Sequence, residues 1–428
     1  MKRFLGIALS LVMLLSLLAV PALAEEPLQL TMYFPVNVGG SAAALIDQMT
    51  QDFNAENPDV QVQAVYTGNY DDTVTAIQTA IQGGNAPDLF VSLATQRFTM
   101  ADTKMAMPLD DLIAADPEGQ AFVDDFIDGF MLDSYVDGSI YSIPFQRSTM
   151  VMFYNKDAFR EVGLDPEAPP QNWTEMIDYA QKLTNENRYG VAIALNSGSA
   201  QWAFTGFSLQ NCTNGVGLMS ADGKEVYFNT PENVEALQLW LDLQNKYKVM
   251  APGIVQWTDM PTQFLAGEVA MIYHTTGNLT NIKNNANFDF GVAFLPAGRQ
   301  WGAPTGGGNF YITNGISEER QQAAWRFIKF CCSTERAAQW SIDTGYVATR
   351  ESCYETDLLK DYYASFPEAL VAYEQLPYAQ PELTTYSAAE MWRILNDNIQ
   401  AAVTGEMTAE EALAAAQEQG DELLADYQ

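Results

Sequence analysis

The sequence predicts an α/β fold, and three observations lead to this prediction. Short segments alternate between apolar and polar residues, which is the two-residue period of half-buried strands. Longer segments between them carry apolar residues three or four positions apart, the period of amphipathic helices. The two kinds of segment follow one another in turn, which indicates strands of a parallel sheet covered by helices.

The first strands and helices are predicted between residues 28 and 92. Apolar residues recur at every second position from Leu28 to Phe34, and this alternation predicts a strand. A helix follows and ends at Asn57-Pro58. Residues 60–66 alternate again, a second helix ends at Gly83-Gly84, and residues 88–92 form a short buried strand.

In open α/β sheets, ligands bind at the loops that follow the carboxyl ends of the strands. The loops in question here are residues 35–40, 67–71 and 93–97. Tyr70 lies in the second loop, so we expect its ring to contact a ligand.

A second α/β unit is predicted to begin with a buried strand over residues 150–155. Asn172 and Glu175 then have the spacing of a helix N-terminal capping box, which leaves Trp173 in the first helical turn. A later helix is predicted over residues 234–243 and a strand over residues 290–295.

A helix predicted over residues 388–403 places Arg393 on a separate face. At roughly 100° per residue, its apolar residues fall on one side and Arg393 points nearly the opposite way. On this pattern alone Arg393 is a solvated surface residue, because arginine is seldom buried without a partner.

The first 24 residues predict a signal peptide. Lys2 and Arg3 precede an apolar run from Leu5 to Val20, and Ala22-Leu23-Ala24 offers small residues at a cleavage point. We therefore expect the chain to be exported across the cytoplasmic membrane, to the periplasm or another extracytoplasmic location. No later segment approaches the ~18 uninterrupted apolar residues of a membrane-spanning helix.

Charge, length and cysteine content narrow the possible functions. The 428 residues suggest two or three domains, and the net charge of −33 makes nucleic acid and anionic membranes poor partners. Four cysteines do not make a disulfide scaffold, and buried free thiols are the simplest interpretation for Cys331 and Cys332. Cys212 and Cys353 are the other two.

Sequence signatures of catalysis are scarce. His274 is the single histidine, which argues against histidine-based triads and metal sites. Adjacent carboxylates such as Asp71-Asp72 do not face one site, and the glycines at 306–308 lack the lysine of a phosphate-binding loop. We therefore expect no catalytic residues, metal or cofactor, although carboxylates from two different loops could still make a glycosidase.

The loops instead offer aromatic rings, hydroxyl groups and glycines. Aromatic faces with hydroxyl and amide hydrogen bonds around them bind small polar ligands reversibly. The candidates are Tyr70, Ser148, Trp173, Trp257, Thr275, Thr276, Gly307, Tyr311 and Tyr346.

Several stretches resemble one protein family over residues 28 to 425. They are ENPDVQV, TGNYDDT, GGNAPDL, PFQRSTMVMFYNKDAF, GLDPEAPPQNWTEM, FLAGEVAM and DTGYVATR. Together they resemble the extracellular solute-binding proteins of carbohydrate ABC importers, most closely the sn-glycerol-3-phosphate-binding branch.

The resemblance implies a type II periplasmic-binding-protein-like fold of two lobes joined by hinge crossings. One lobe is expected over residues 25–146 and 290–332, and the other over residues 147–289 and 333–428. The resemblance also implies a monomer without a cofactor, which delivers its ligand to the permease subunits of the transporter.

Seven residues match cleft positions of the glycerol-3-phosphate binders. The resemblance implies that Arg393 binds phosphate, although the helical pattern alone placed it on the surface. The full set is Tyr70, Ser148, Trp173, Thr275, Gly307, Tyr346 and Arg393.

Two departures from the branch affect the expected ligand. Ala94 replaces an acidic residue after the third strand, and Arg147 replaces a small hydroxyl residue. If Arg147 faces the cleft, both changes make the pocket more positive, so Arg147 joins the predicted site. We expect a phosphorylated polyol such as glycerol 3-phosphate or a glycerophosphodiester, with a neutral sugar or oligosaccharide as the alternative. Outside this class, an exported glycosidase and a structural surface protein are the other hypotheses.

Overall fold

The structure is a computed structural model that describes residues 26–36, 41–196, 199–213, 215 and 217–428. The predicted signal peptide and most of the loop at 35–40 lie outside the described residues. Within the described residues, no helix has both the length and the apolar character needed to cross a membrane.

Strands and helices alternate through most of the described chain. The strands are β1 Leu28–Phe34, β2 Val60–Tyr66, β3 Leu89–Leu93, β4 Tyr135–Val136, β5 Ser139–Ile140, β6 Ile143–Asn155, β7 Tyr189–Ala192, β8 Val269–Thr275, β9 Phe290–Ala293, β10 Ala303–Ile312 and β11 Ala379–Gln380.

The helices before β8 are α1 Ala42–Glu56, α2 Tyr70–Gln82, α3 Arg97–Asp102, α4 Asp110–Ala115, α5 Gly119–Asp124, α6 Asp128–Met131, α7 Lys156–Glu161, α8 Trp173–Leu183, α9 Ala200–Asn211, α10 Pro231–Asn245 and α11 Met260–Leu265. The helices after β8 are α12 Leu279–Asn285, α13 Glu318–Cys331, α14 Thr334–Thr344, α15 Asp357–Ser365, α16 Val371–Gln375, α17 Ala388–Val403 and α18 Ala409–Leu424.

The predicted α/β class and the predicted elements up to β3 are confirmed. The side chain of Asn172 caps α8 by accepting a hydrogen bond from the Glu175 backbone N–H, as its spacing predicted. Helix α17 covers the predicted range, with Met391 and Leu395 buried.

The main sheet is mixed, and the parallel arrangement predicted for its first three strands is confirmed. Its strand order is β2-β1-β3-β10-β6-β8-β7, with β11 paired to β10 and β9 paired to β6. Strands β1, β2 and β3 are parallel, but β10 is antiparallel to both β3 and β6. The helix pattern between the first three strands could not reveal this, because β10 comes from more than 200 residues further along the chain.

Strand β6 begins at Ile143, seven residues before the predicted start at Met150. Its first part pairs with β10, and from Met150 onward it pairs with β8 and β9. Ile143 and Phe145 pack in one hydrophobic cluster, whereas residues 150–154 pack in a second, larger one. Strand β6 therefore passes from one hydrophobic core to the other.

Residues 146–149 are the polar end of the first part of β6, and all four are buried. The Gln146 amide oxygen accepts a hydrogen bond from the Tyr70 hydroxyl at 3.1 Å, and the Thr149 hydroxyl donates to the Pro304 carbonyl at 3.0 Å. Arg147 is paired with Asp133. Such partners offset the cost of burying polar groups inside a sheet.

All four cysteines are buried free thiols, which confirms the simplest interpretation of Cys331 and Cys332. Burial raises the pKa of each thiol, so these groups are poor nucleophiles.

Candidate ligand-binding site

A cavity of about 300 Å³ lies where β6 passes between the two hydrophobic clusters. Its wall is built from strands β3, β6, β8 and β10, the beginnings of helices α2, α9 and α17, and four loop segments. The lining residues are Asn69, Tyr70, Asp71, Leu93, Ser148, Asn196, Ser199, Gln201, Trp202, Trp257, Thr258, Thr275, Gly307, Tyr346, Glu382 and Trp392. A cavity of this size can enclose a small ligand.

Five of the eight predicted site residues line this cavity: Tyr70, Ser148, Thr275, Gly307 and Tyr346. They come from α2, β6, β8, β10 and the segment after α14, so the fold brings together residues far apart in sequence.

Tyr70 reaches the cavity because Asn69 begins α2 just before it. The Asn69 side chain accepts a hydrogen bond from the Asp72 backbone N–H, and the Asp72 carboxylate accepts one from the Asn69 N–H. Burial raises the pKa of the Tyr70 hydroxyl well above its usual value, so Tyr70 stays neutral.

Gly307 contributes backbone to the cavity at a position that suits glycine. Its φ of 96° lies in the left-handed region, and a Cβ there would clash with the Gln146 carbonyl oxygen. The neighbouring strand β6 can therefore approach β10 closely at this point.

The side chain of Trp173 lies outside the cavity lining, in contrast to the predicted ligand contact. Its indole N–H donates to the Gln210 side-chain oxygen at 2.7 Å, and its ring packs against Phe207 with centroids 5.7 Å apart. Trp173 thus joins the start of α8 to α9.

The guanidinium of Arg147 is fully buried and is not among the lining groups. Successive side chains of a strand point to opposite faces, so Ser148 faces the cavity while Arg147 points away from it. Arg147 donates to Asp133 at 2.7 Å and to the Asn309 side chain at 3.2 Å. Asp133 also accepts a hydrogen bond from Arg97 at 2.8 Å, so one carboxylate holds two guanidinium groups.

Arg393 lies on the outer face of α17, where the helical pattern placed it. Its side chain is 55% exposed and forms ion pairs with Glu390 at 2.6 Å and Asp397 at 2.7 Å. The hydrogen bonds that Arg393 donates to the Glu390 carboxylate are the main reason that the pKa of Arg393 is raised. The preceding residue, Trp392, is the one that lines the cavity.

Three tryptophans, each largely buried, line the cavity. The indole N–H of Trp202 donates to the Thr305 carbonyl at 3.0 Å, and that of Trp392 donates to the Leu383 carbonyl at 2.8 Å. These hydrogen bonds fix the two rings in position. The loop pattern had offered Trp257 alone among these three, because Trp202 and Trp392 lie in helices that also bury much of their surface in the core.

The His274 ring packs against the Trp257 ring and helps to hold it in place. The two rings stack with centroids 3.6 Å apart and an interplanar angle of 19°. Burial lowers the pKa of His274 to about 3, so the imidazole is neutral. Its Nε2 lies 3.3 Å from the Trp257 carbonyl oxygen and its Nδ1 lies 3.0 Å from the Asn278 amide nitrogen. The single histidine of the chain thus holds the ring of Trp257, which lines the cavity.

The charged lining residues in the described part of the chain are two carboxylic acids, Asp71 and Glu382, and no lysine, arginine or histidine. Burial, reinforced by Asp72, raises the pKa of Asp71. Burial also raises the pKa of Glu382 to about 8, with Asp133 adding to the increase and Arg147 opposing it. Glu382 could not be found from a sequence pattern, because it lies in an irregular segment after β11.

The described residues contain no group of three or more histidine, cysteine, aspartate or glutamate side chains arranged to hold a metal ion. The site chemistry is therefore that of aromatic faces, hydroxyl groups, amides and two acids.

Comparison with known proteins identifies the family. Residues 48–367 match the family described as bacterial extracellular solute-binding protein. The sn-glycerol-3-phosphate-binding periplasmic protein UgpB of Salmonella paratyphi A is 30% identical, and the similarity covers 98% of this chain and 96% of that protein. UgpB of Escherichia coli K12 is 29% identical over 92% of both chains.

Solved structures share the fold. UgpB from Mycobacterium tuberculosis in complex with glycerophosphocholine has a TM-score of 0.80 at 24% identity and covers 94% of this chain. The GacH receptor of Streptomyces glaucescens, solved unliganded and with acarbose, has a TM-score of 0.81 at 22% identity and also covers 94%. The similarity covers 98% and 100% of those two chains. The fold is the two-lobed periplasmic-binding-protein-like fold.

A single family thus accounts for most of the sequence and for the architecture. The chain belongs to the bacterial extracellular solute-binding proteins.

Proposed function

We propose that this protein is the extracytoplasmic receptor of an ABC importer and that it binds an uncharged polyhydroxylated ligand, a sugar or a polyol. The ligand occupies the cavity around Ser148 and Trp257 and is released unchanged to the permease subunits of the transporter. The predicted signal peptide and the family support a location outside the cytoplasmic membrane. The net charge of −33 favours a monomer, because copies of the chain repel one another.

The observation that carries this proposal is the composition of the cavity wall. Trp202, Trp257 and Trp392 offer aromatic faces to the apolar faces of sugar rings, while Ser148 and Thr275 offer hydroxyl groups. A phosphate group is recognised by charge-assisted hydrogen bonds, usually from arginine or lysine. The described lining residues include no such side chain.

The hydrophobic clusters support two lobes on either side of the cavity, with β6 as one crossing. They favour boundaries that differ from the predicted ones at several places, among them β9 and α14. Val292 and Ala293 pack in the larger cluster, whereas Trp340 and Tyr346 pack in the smaller one. We propose that β9 and α14 exchange lobes relative to the sequence prediction, and that the lobes close around the ligand.

A phosphorylated ligand is the second candidate. It is favoured because one relative is an sn-glycerol-3-phosphate-binding protein and a structure with the same fold holds glycerophosphocholine. A glycerophosphodiester with a quaternary ammonium end suits the cavity better than glycerol 3-phosphate does, because cations bind over aromatic faces and beside carboxylates. In this version the tryptophans hold the cationic end, and the phosphate is bound by hydroxyl and backbone groups.

A thermal-shift and calorimetry panel distinguishes these candidates, since a ligand that binds the native state raises its apparent stability. The panel contains maltose, trehalose, ribitol, glycerol 3-phosphate, glycerophosphocholine and inorganic phosphate. Binding of a neutral sugar or polyol without binding of glycerol 3-phosphate supports the proposal. Binding of glycerol 3-phosphate alone contradicts it.

The glycosidase hypothesis has its own test, because Asp71 and Glu382 both line the cavity. We expect purified protein to leave chromogenic glycosides intact while it binds the matching sugar. Turnover that is lost in Glu382→Gln would contradict a purely binding role.

Replacing Arg393 by alanine should leave ligand affinity within about twofold of the wild-type value, because its guanidinium pairs with Glu390 and Asp397 outside the cavity. Arg160→Ala is a matched control, since Arg160 forms similar exposed pairs with Asp157 and Asp289. Calorimetry with the best ligand of the panel measures both variants. A loss of about tenfold or more in the affinity for a phosphorylated ligand, in Arg393→Ala alone, would restore the phosphate-binding role that the resemblance implied.

A further inference from the structure

Glu382 is the most deeply buried acid of the cavity wall, with 5% of its surface exposed. Its backbone is fixed on both sides. The preceding strand β11 pairs with β10, and the next residue, Leu383, packs in the larger cluster and accepts the Trp392 indole hydrogen bond. The carboxyl group is thus held at the cavity by a rigid segment.

The Glu382 carboxyl group has the Thr95 hydroxyl as a hydrogen-bonding neighbour, and this contact lowers its pKa. The Thr95 hydroxyl oxygen is buried and forms no hydrogen bond of normal geometry among the described residues, so this contact satisfies the carboxyl group only weakly. By contrast, the carboxylate of Asp133 accepts hydrogen bonds from Arg97, Arg147 and Thr305. A buried carboxyl group with one weak partner beside a cavity is costly unless a ligand supplies further hydrogen-bond donors.

Charged and titratable side chains from several elements surround Glu382. Arg147 of β6 lies nearby, and Asp133, which follows α6, holds Arg147 and Arg97 of α3. Tyr70 of α2 and Tyr346 after α14 face the same region as neutral phenols, because burial raises the pKa of both. Asp71 is the other acid of the cavity. When Glu382 is ionised, the two positive charges of Arg97 and Arg147 equal the two negative charges of Asp133 and Glu382 in number.

We propose that Glu382 is a specificity-determining ligand contact, whose carboxylate accepts hydrogen bonds from ligand hydroxyl groups and excludes anionic substituents from this end of the cavity. The inference rests on the proposed function, because it assigns a role within the same cavity. It names polyols and sugars with free hydroxyl groups, rather than their phosphate esters, as the class recognised there.

Proton release on binding follows from this contact. In the free protein burial holds the pKa of Glu382 at about 8, so the carboxyl group is mostly protonated at neutral pH. Hydroxyl donors from the ligand favour the ionised form and lower that pKa in the complex. Binding therefore releases a proton below pH 8, and affinity increases as the pH rises toward the pKa of the free protein.

The test compares wild-type protein with Glu382→Gln and Glu382→Ala, using the neutral ligand that binds best in the panel. Calorimetry in buffers of different ionisation enthalpy, from about pH 6.5 to about pH 8.5, measures affinity and proton release together. We expect the alanine variant to bind roughly 10- to 100-fold more weakly. The glutamine variant should bind with an affinity that no longer depends on pH and without proton release.

Glu374→Gln is the matched control, because Glu374 is exposed on α16 and its replacement changes the net charge by the same amount. It should behave as wild type. A pH-dependent affinity that persists in Glu382→Gln, or an unchanged affinity in both Glu382 variants, would overturn the proposal. If wild-type protein binds no neutral ligand at all, the proposed function itself fails.

Discussion

Replacing Trp257 by alanine should weaken ligand binding roughly 30- to 100-fold. One face of its ring stacks on His274, and Trp202 lies at 5.4 Å between ring centroids, so Trp257 is pre-positioned before the ligand arrives. Rigid aromatic surfaces contribute strongly to binding because little conformational freedom is lost when a ligand covers them. Calorimetry with the best ligand of the panel measures the loss.

Trp301→Ala is the matched control for this variant. Trp301 is a half-buried tryptophan that packs against Phe294 and Tyr378 and is not part of the cavity lining. Trp257→Phe should recover part of the affinity, since a smaller aromatic face remains. Equal affinities in Trp257→Ala and wild type would show that the ligand binds elsewhere.

Replacing Asp133 by asparagine should lower the free energy of unfolding by about 3 to 5 kcal/mol, because it leaves Arg97 and Arg147 buried without a counter-charge. Both guanidinium groups are at least 96% covered, so solvent cannot replace the lost carboxylate. Urea unfolding followed by circular dichroism measures the change.

Asp52→Asn provides the control, since Asp52 pairs with Arg336 at 3.1 Å on the surface. Exposed pairs contribute at most about 1 kcal/mol, so this variant should unfold close to wild type. A loss below about 1 kcal/mol in Asp133→Asn would mean that the buried network is not needed for the crossing between the hydrophobic clusters.

The first α/β segment could be predicted from sequence because local period decides it. Strands β1 and β2 have one buried face, and α1 presents its apolar residues toward them, so alternation and helical spacing are both visible within a few residues. The beginning of β6 could not be predicted in the same way. Its polar residues are stabilised by Asp133, Asn309 and Pro304, and the last two lie more than 150 residues away in sequence.

The same distinction applies to the candidate site: local sequence patterns predict some of its residues and not others. Tyr70 and Thr275 lie where a strand or loop meets a helix, and those positions of an α/β sheet are predicted to face ligands. Trp173 lies at a similar position, but Gln210 and Phe207 of α9 hold its ring elsewhere. Glu382 had no periodic pattern around it, and only the packing of β11 against β10 brings it to the cavity.

For Arg393, the helical pattern of the sequence and the family resemblance led to different predictions. The helical spacing of α17 placed it opposite the buried residues, and the structure agrees. The implied role in phosphate binding stays a prediction, and it is the one that the cavity composition favours least.

The most direct test of the proposed function is a calorimetric titration of the wild-type protein with a neutral sugar or polyol and, separately, with glycerol 3-phosphate. The cavity wall, with its three tryptophans, two acids and no basic side chain among the described lining residues, predicts saturable binding of the neutral ligand and none of glycerol 3-phosphate. Saturable binding of glycerol 3-phosphate, with no neutral ligand bound, would contradict it.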